Sequence, residues 1–79
     1  MKLLLFVVPG CAQCQTVIDY LNLRDIDHEV IDAKNEIHFD KVQRYGIGRV
    51  PALVVCDGSG VLTDSATGFE DIQALLEYL

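Results

Sequence analysis

At 79 residues the chain has room for one domain, covering residues 1–79, and with 51% of them hydrophobic it suits a fold that buries only roughly 60–65% of its unfolded surface. A net charge of −6, with six dispersed Lys and Arg against twelve Asp and Glu, excludes a nucleic-acid surface, which needs clustered cations to neutralise phosphates. Three cysteines are too few, and odd in number, for a disulfide-stapled secreted domain, so a reducing, cytoplasmic setting is expected.

Residues 2–8 form an apolar run without helical gaps, the pattern of a strand buried on both faces, and Pro9-Gly10 stops it. The same stretch can be read as an export signal with a lipid-attachment cysteine at Cys11. Its apolar run, Leu3 to Val8, falls short of the roughly 7–15 residues of a signal core. Cleavage before Cys11 would also remove the most hydrophobic segment of a small domain. Nothing in the chain approaches the roughly 18 apolar residues of a membrane span, so no membrane contact is expected.

From Cys14 onward Val17, Ile18 and Leu21 follow at helical spacing, which predicts a helix over about 11–22 with Cys14 on the buried stripe and Cys11 at the N-terminus. His28-Glu29-Val30-Ile31 reads as a short strand ended by Asp32. A second helix is predicted from near Asn35 to Gly46, carrying Ile37, Phe39, Val42 and Tyr45 towards the core. Strand, helix and strand within about thirty residues describe a right-handed crossover with parallel strands. Ala52 to Cys56 and Val61-Leu62-Thr63, joined by Asp57-Gly58-Ser59-Gly60, then predict an antiparallel hairpin. The last segment has Glu70 and Asp71 in its first turn and Ile72, Leu75, Leu76 and Leu79 at helical spacing. The expected fold class is therefore α/β, in the order βαβαββα, with a mixed four-stranded sheet and helices on both faces.

Cys11-Ala12-Gln13-Cys14 has a spacing that serves zinc, iron–sulfur and redox sites alike. Its placement between a buried strand and a helix start surrounds the first sulfur with unpaired N–H groups and the positive end of the helix dipole. That environment lowers a thiol from its free pKa of about 8.5 towards neutrality, which makes Cys11 a candidate nucleophile. Cys14, one turn on and shielded, is placed to resolve a mixed disulfide by intramolecular attack. The alternative is a non-catalytic module in which the thiol pair holds zinc or bridges a cluster between two copies. One chain supplies only two of the four ligands a cluster needs, and glutathione or a second chain would have to supply the rest.

Three segments together resemble the thioredoxin and glutaredoxin superfamily over nearly the full length: Phe6 to Cys14, Tyr45-Gly46-Ile47-Gly48-Arg49-Val50-Pro51-Ala52, and Gly68-Phe69-Glu70-Asp71-Ile72. The resemblance implies a thioredoxin fold and a small thiol–disulfide oxidoreductase that passes electrons to protein disulfides, acting as a monomer without a bound cofactor. It also implies a cis bond before Pro51, with Val50 as a main-chain docking point for substrate. Arg49, Gly68, Phe69 and Asp71 are then further substrate-binding candidates. Glutaredoxins usually carry Pro-Tyr between the cysteines, a basic residue upstream, Thr-Val-Pro, and Gly-Gly before paired acids. This chain has Ala12-Gln13, Val8-Pro9-Gly10, Arg49-Val50-Pro51 and Thr67-Gly68-Phe69-Glu70-Asp71. Gln13 and Gly68-Phe69 look more like glutaredoxin-like redoxins that draw electrons from thioredoxin reductase and serve a ribonucleotide reductase. The loop Tyr45 to Ala52 looks more like thioredoxin, although Leu5 stands where that family's first strand usually supplies a buried acid. The reductant is accordingly expected to be thioredoxin reductase or glutathione.

Cys56, at the end of a predicted strand, reads as a packed small hydrophobe. His28 and His38 show no ligand spacing, so no metal site is expected. Asp40, Lys41 and Arg44 read as a solvated helix face.

Overall fold

In the computed structural model, which describes residues 1–79, the apolar run at the start of the chain becomes strand β1 (Lys2–Val7). It is followed by α1 (Ala12–Leu23), β2 (Glu29–Asp32), a 3-10 turn (Glu36–His38), α2 (Phe39–Arg44), β3 (Ala52–Cys56), β4 (Leu62–Thr67) and α3 (Phe69–Tyr78). β1 pairs in parallel with β2 and antiparallel with β3, and β3 pairs antiparallel with β4, giving the strand order β2-β1-β3-β4. The two most apolar segments of the sequence are thus the two inner strands. The expected element order and mixed sheet are both present.

Side chains alternate across a strand, so each inner strand feeds two cores. Leu3 and Leu5 of β1 and Leu53 and Val55 of β3 pack with Val17 and Leu21 of α1 and Ile72 of α3. Leu4 and Phe6 turn to the opposite face with Ala52, Val54, Cys56 and Ile31, where Val42, Tyr45, Ile47 and Val50 cover them. Helices therefore lie on both faces, and no helix is long and apolar enough to cross a membrane.

Three details depart from the sequence reading. Between Asn35 and Phe39 the chain makes a 3-10 turn, its start capped by Asn35 Oδ1, which accepts from the Ile37 N–H at 3.2 Å. A 3-10 turn advances side chains by about 120° per residue rather than 100°, so the spacing that joined Ile37 to Val42 does not hold across the junction, and Phe39 is left to open α2. Ile37 is 79% exposed and Phe39 58% exposed, and only Val42 and Tyr45 reach the core. Leu79 also lies outside the core, half-exposed beyond the end of α3. Finally, β4 runs on through Asp64, Ser65, Ala66 and Thr67 and begins at Leu62 instead of Val61. Its polar outer residues carry no apolar alternation; pairing with β3 holds it as an edge strand.

Two turns set the lengths of these elements. After α1, the N–H groups of Asp25 and Ile26 donate to the carbonyls of Asn22 and Leu21 at 3.1 and 3.0 Å, a Schellman closure that puts Asp25 at φ 56°. The left-handed region favours glycine over a residue with a Cβ. Asp25→Gly is expected to stabilise the fold by roughly 0.5–1 kcal/mol, seen as a higher urea midpoint at unchanged slope.

In the β3–β4 turn, Asp57 Oδ1 accepts from the Ser59 hydroxyl (2.7 Å), the Ser59 N–H (2.9 Å) and the Val61 N–H (3.0 Å). These bonds, the Ser59 hydroxyl first, hold the Asp57 carboxyl below its ordinary value. A carboxyl depressed in the folded state contributes in full above the ordinary carboxylate range and loses that contribution as pH falls through its folded value. Acidification is therefore expected to release the Val61 amide. Its proton resonance should titrate with Asp57, and the dependence should vanish in Asp57→Asn.

Candidate redox site

β1 ends at Val7, and the turn that follows passes through Gly10 at φ +77°, a left-handed conformation suited to glycine. The chain thus emerges from the sheet with Cys11 as the N-cap of α1, in extended conformation at φ −90° and ψ 107°. N-caps usually offer a side-chain oxygen to the third amide of the helix. Here Cys11 Sγ takes that place, accepting from the Cys14 N–H at 3.1 Å. Cys11 is half-buried, and Cys14 is 3% exposed on the stripe it shares with Val17 and Leu21. The two form a disulfide, with Cα atoms 5.2 Å apart.

The sheet brings further segments to the same end. Ala52 opens β3 opposite Phe6 of β1, so the preceding Val50-Pro51, joined by a cis bond, lies at the edge where β1 delivers the thiols. Pro51 is buried. Its carbonyl accepts from the Gly68 N–H at 3.0 Å, which ties the start of α3 to the cis-proline loop. Gly68, the N-cap of α3, has no side chain to cap the helix. Instead Gln13, between the two cysteines, offers its Oε1 to the Phe69 N–H at 3.2 Å. Phe69 packs edge-on against Tyr20 of α1 with ring centroids 5.6 Å apart, which fixes the first turn of α3 against α1.

Of the residues singled out in the sequence, the structure therefore gathers Cys11, Cys14, Val50, Pro51, Gly68 and Phe69 at one end of the sheet. Asp71 lies beside them in an open cleft of about 440 Å³ that Gln13, Thr16, Thr67, Phe69 and Glu70 also line. Arg49 is not drawn in: it is exposed and lines neither cleft that borders the dithiol segment. The second of these clefts, about 260 Å³, is more apolar, with Val7, Val8, Pro9 and Ile18 around Cys11 and Cys14 and Asp32 at its rim. Sequence reasoning missed both Gln13 as a cap and Val8, Pro9 and Ile18 as walls. The Gln13 contact spans 56 positions and leaves no local periodicity to find, whereas the wall residues were visible but read only as strand (Val8), strand stop (Pro9) and helix stripe (Ile18).

Nowhere do three or more His, Cys, Asp or Glu side chains converge as a metal ion would require. His28 Nδ1 and His38 Nδ1 each donate to a backbone carbonyl, of Ile26 at 2.8 Å and Asp32 at 3.1 Å. Cys56 is a free, buried thiol in the core. It meets the Tyr45 hydroxyl at 3.6 Å, and that contact together with burial raises the phenol above its ordinary value.

Comparison with known proteins accords with this geometry. Residues 5–78 match the family model described as glutathione S-transferase, N-terminal domain. No curated protein matches the sequence. Among solved structures, thioredoxin O2 from Arabidopsis thaliana in its oxidized state superposes with a TM-score of 0.71 at 20% identity, over 99% of this chain and 73% of that one. Thioredoxin 1 from the thermophilic eubacterium Thermosipho africanus superposes with a TM-score of 0.67 at 22% identity, over 99% and 97%. At these identities the structural likeness establishes the thioredoxin fold, and the dithiol at the head of α1 supports thiol–disulfide redox chemistry in general. The chain belongs to the glutathione S-transferase N-terminal domain family and carries a Cys11–Cys14 pair at the head of α1 on a thioredoxin fold.

Proposed function

We propose that this chain is an electron carrier that reduces protein disulfides, with Cys11 as the nucleophile and Cys14 as the resolving thiol. The observation that carries the reading is the asymmetry of the pair: the Cys11 sulfur sits at the helix N-terminus and accepts an amide N–H, while Cys14 is enclosed in the core. A charge-assisted amide hydrogen bond and the positive helix end both favour negative charge on the Cys11 sulfur once the disulfide is reduced.

The reaction balances as two exchanges. The Cys11 thiolate attacks one sulfur of the substrate disulfide, and the other sulfur leaves as a thiolate and takes a proton. Cys14, deprotonated, attacks Cys11 Sγ; the Cys11–substrate bond breaks, and the second substrate sulfur leaves and is protonated. Two electrons and two protons pass to the substrate, and the Cys11–Cys14 disulfide remains. Val50 supports recognition of an extended partner strand, since its N–H and C=O have no backbone partner within the chain. Pro51, Gly68, Phe69 and Asp71 border the approach. The protein acts as a monomer in a reducing cytoplasm, and thioredoxin reductase or glutathione restores the dithiol.

After reduction, iodoacetamide at pH 7 should label Cys11 roughly tenfold or more faster than Cys14; equal, slow labelling of both would count against the assignment. Insulin reduction should be lost in Cys11→Ser, while Cys14→Ser should accumulate a mixed disulfide detectable by mass spectrometry. Full turnover in Cys11→Ser would remove Cys11 from its role.

A further inference from the structure

The two edges of the sheet are finished differently. β4 closes one side with the exposed polar residues Thr63, Asp64, Ser65 and Thr67 and with a register shift opposite β3. β2 closes the other with Glu29, Val30, Ile31 and Asp32, in continuous register with β1 and without a proline. In a parallel ladder a residue turns both its N–H and its C=O to one side, and its neighbour turns both to the other. The Ala33 N–H donates to the Val7 carbonyl at 2.8 Å. With Leu4 opposite Glu29 and Phe6 opposite Ile31, this directs Glu29, Ile31 and Ala33 towards β1. Val30 therefore presents its N–H and C=O outward, between the C=O of His28 and the N–H of Asp32, and none of these four groups has a partner in the turns and loops of the chain. The next outward group, the Asp32 carbonyl, is taken: it accepts from the Asn35 N–H and from His38 Nδ1, both at 3.1 Å.

The His38 bond seats the 3-10 turn against this edge, and the residues on either side of His38 are Ile37 and Phe39, 79% and 58% exposed. Val30 itself is 46% exposed. Unpaired main-chain groups beside uncovered apolar side chains are the two components of strand addition, the first giving affinity and the second selectivity. Charge decides what is admitted. Lys2 and Lys41 both engage Glu29, at 3.5 and 3.6 Å, which leaves Asp32, Glu36 and Asp40 without an ion pair. A second copy would bring these acids against their own equivalents, and like charges across a strand pair oppose it. A cationic strand meets no such opposition.

We propose that the open edge of β2 is a docking surface for an extended segment of another protein, one in which apolar residues alternate with Lys or Arg. The segment adds as a fifth strand. Its main chain pairs with the four free groups around Val30, its apolar side chains meet Val30, Ile37 and Phe39, and its cations face Asp32, Glu36 and Asp40. The docking goes beyond the redox reading, since it uses neither sulfur and no group of the cis-proline loop.

The probe is the peptide acetyl-Lys-Val-Arg-Val-Lys-Val-amide, titrated into isotope-labelled oxidised protein and followed by NMR. The Val30 and Asp32 amides are expected to shift saturably, and the Val30 amide to exchange with solvent at least about tenfold more slowly in the complex. Two control peptides should bind about tenfold or more weakly: the same sequence with its two central amides N-methylated, which blocks both of its edges, and acetyl-Glu-Val-Asp-Val-Glu-Val-amide. Val30→Pro removes the outward N–H and leaves the bonds of Glu29 and Ile31 to β1 in place, as an edge strand allows, and should abolish the shifts. The double variant Ile37→Ser and Phe39→Ser changes only exposed side chains, so it keeps the test decisive if Val30→Pro unfolds; it should weaken binding by about fivefold or more. Any of four results would overturn the proposal: no saturable shift at Val30, shifts centred on β4 or on Val50, equal binding of the N-methylated peptide, or concentration-dependent self-association through β2. The titration reads binding to the oxidised protein alone, so its outcome is separate from that of the thiol-exchange assays.

Discussion

A sulfur atom doing the work of an N-cap is the constraint on which the rest of the site depends. The Cys14 amide needs an acceptor at the exposed start of α1, and Cys11 Sγ supplies it. This single contact starts the helix and sets the orientation of Cys11. It also puts the two sulfurs within bonding distance while one faces the cleft and the other faces the core. Oxygen caps stabilise a helix and leave no reactive centre. A sulfur cap stabilises the helix somewhat less and places a sulfur where the same helix end favours negative charge.

The cap is only as well placed as the strand that delivers it. β1 is an inner strand paired on both sides and packed on both faces, so the point where the chain leaves the sheet is rigidly determined. Its antiparallel partner β3 starts at that same end and brings Pro51, and Pro51 in turn holds Gly68 by a backbone hydrogen bond. Gln13 then closes the circuit from the dithiol linker back to α3. Three sequence-distant segments thus meet through two backbone-directed contacts and one strand pairing.

What was legible in the sequence follows from how local each signal is. Leu3 to Val8 and Ala52 to Cys56 announced buried strands because both faces of each are apolar, and Cys14, Val17 and Leu21 announced α1 because three side chains share one stripe. The thiol pair was recognised by spacing and position together. The start of α2 was misjudged because Ile37 was assigned to a helical period that a 3-10 turn interrupts. β4 was cut short because its residues Asp64, Ser65 and Thr67 are chosen for a wet edge and owe their conformation to β3 rather than to their own propensity. Gln13 was noticed only as a mark of resemblance; its partner lies on an element that folding, not sequence proximity, brings near.

The same wet edge governs how extended chains can join the sheet. Beside Val55, Asp64 is exposed, and the pairing register shifts between Val55 and Cys56, two features that discourage a neighbouring strand from zipping onto β4. An added strand is therefore disfavoured along this flank, whereas the N–H and C=O of Val50, at the end of the sheet that carries the cysteines, have no backbone partner within the chain.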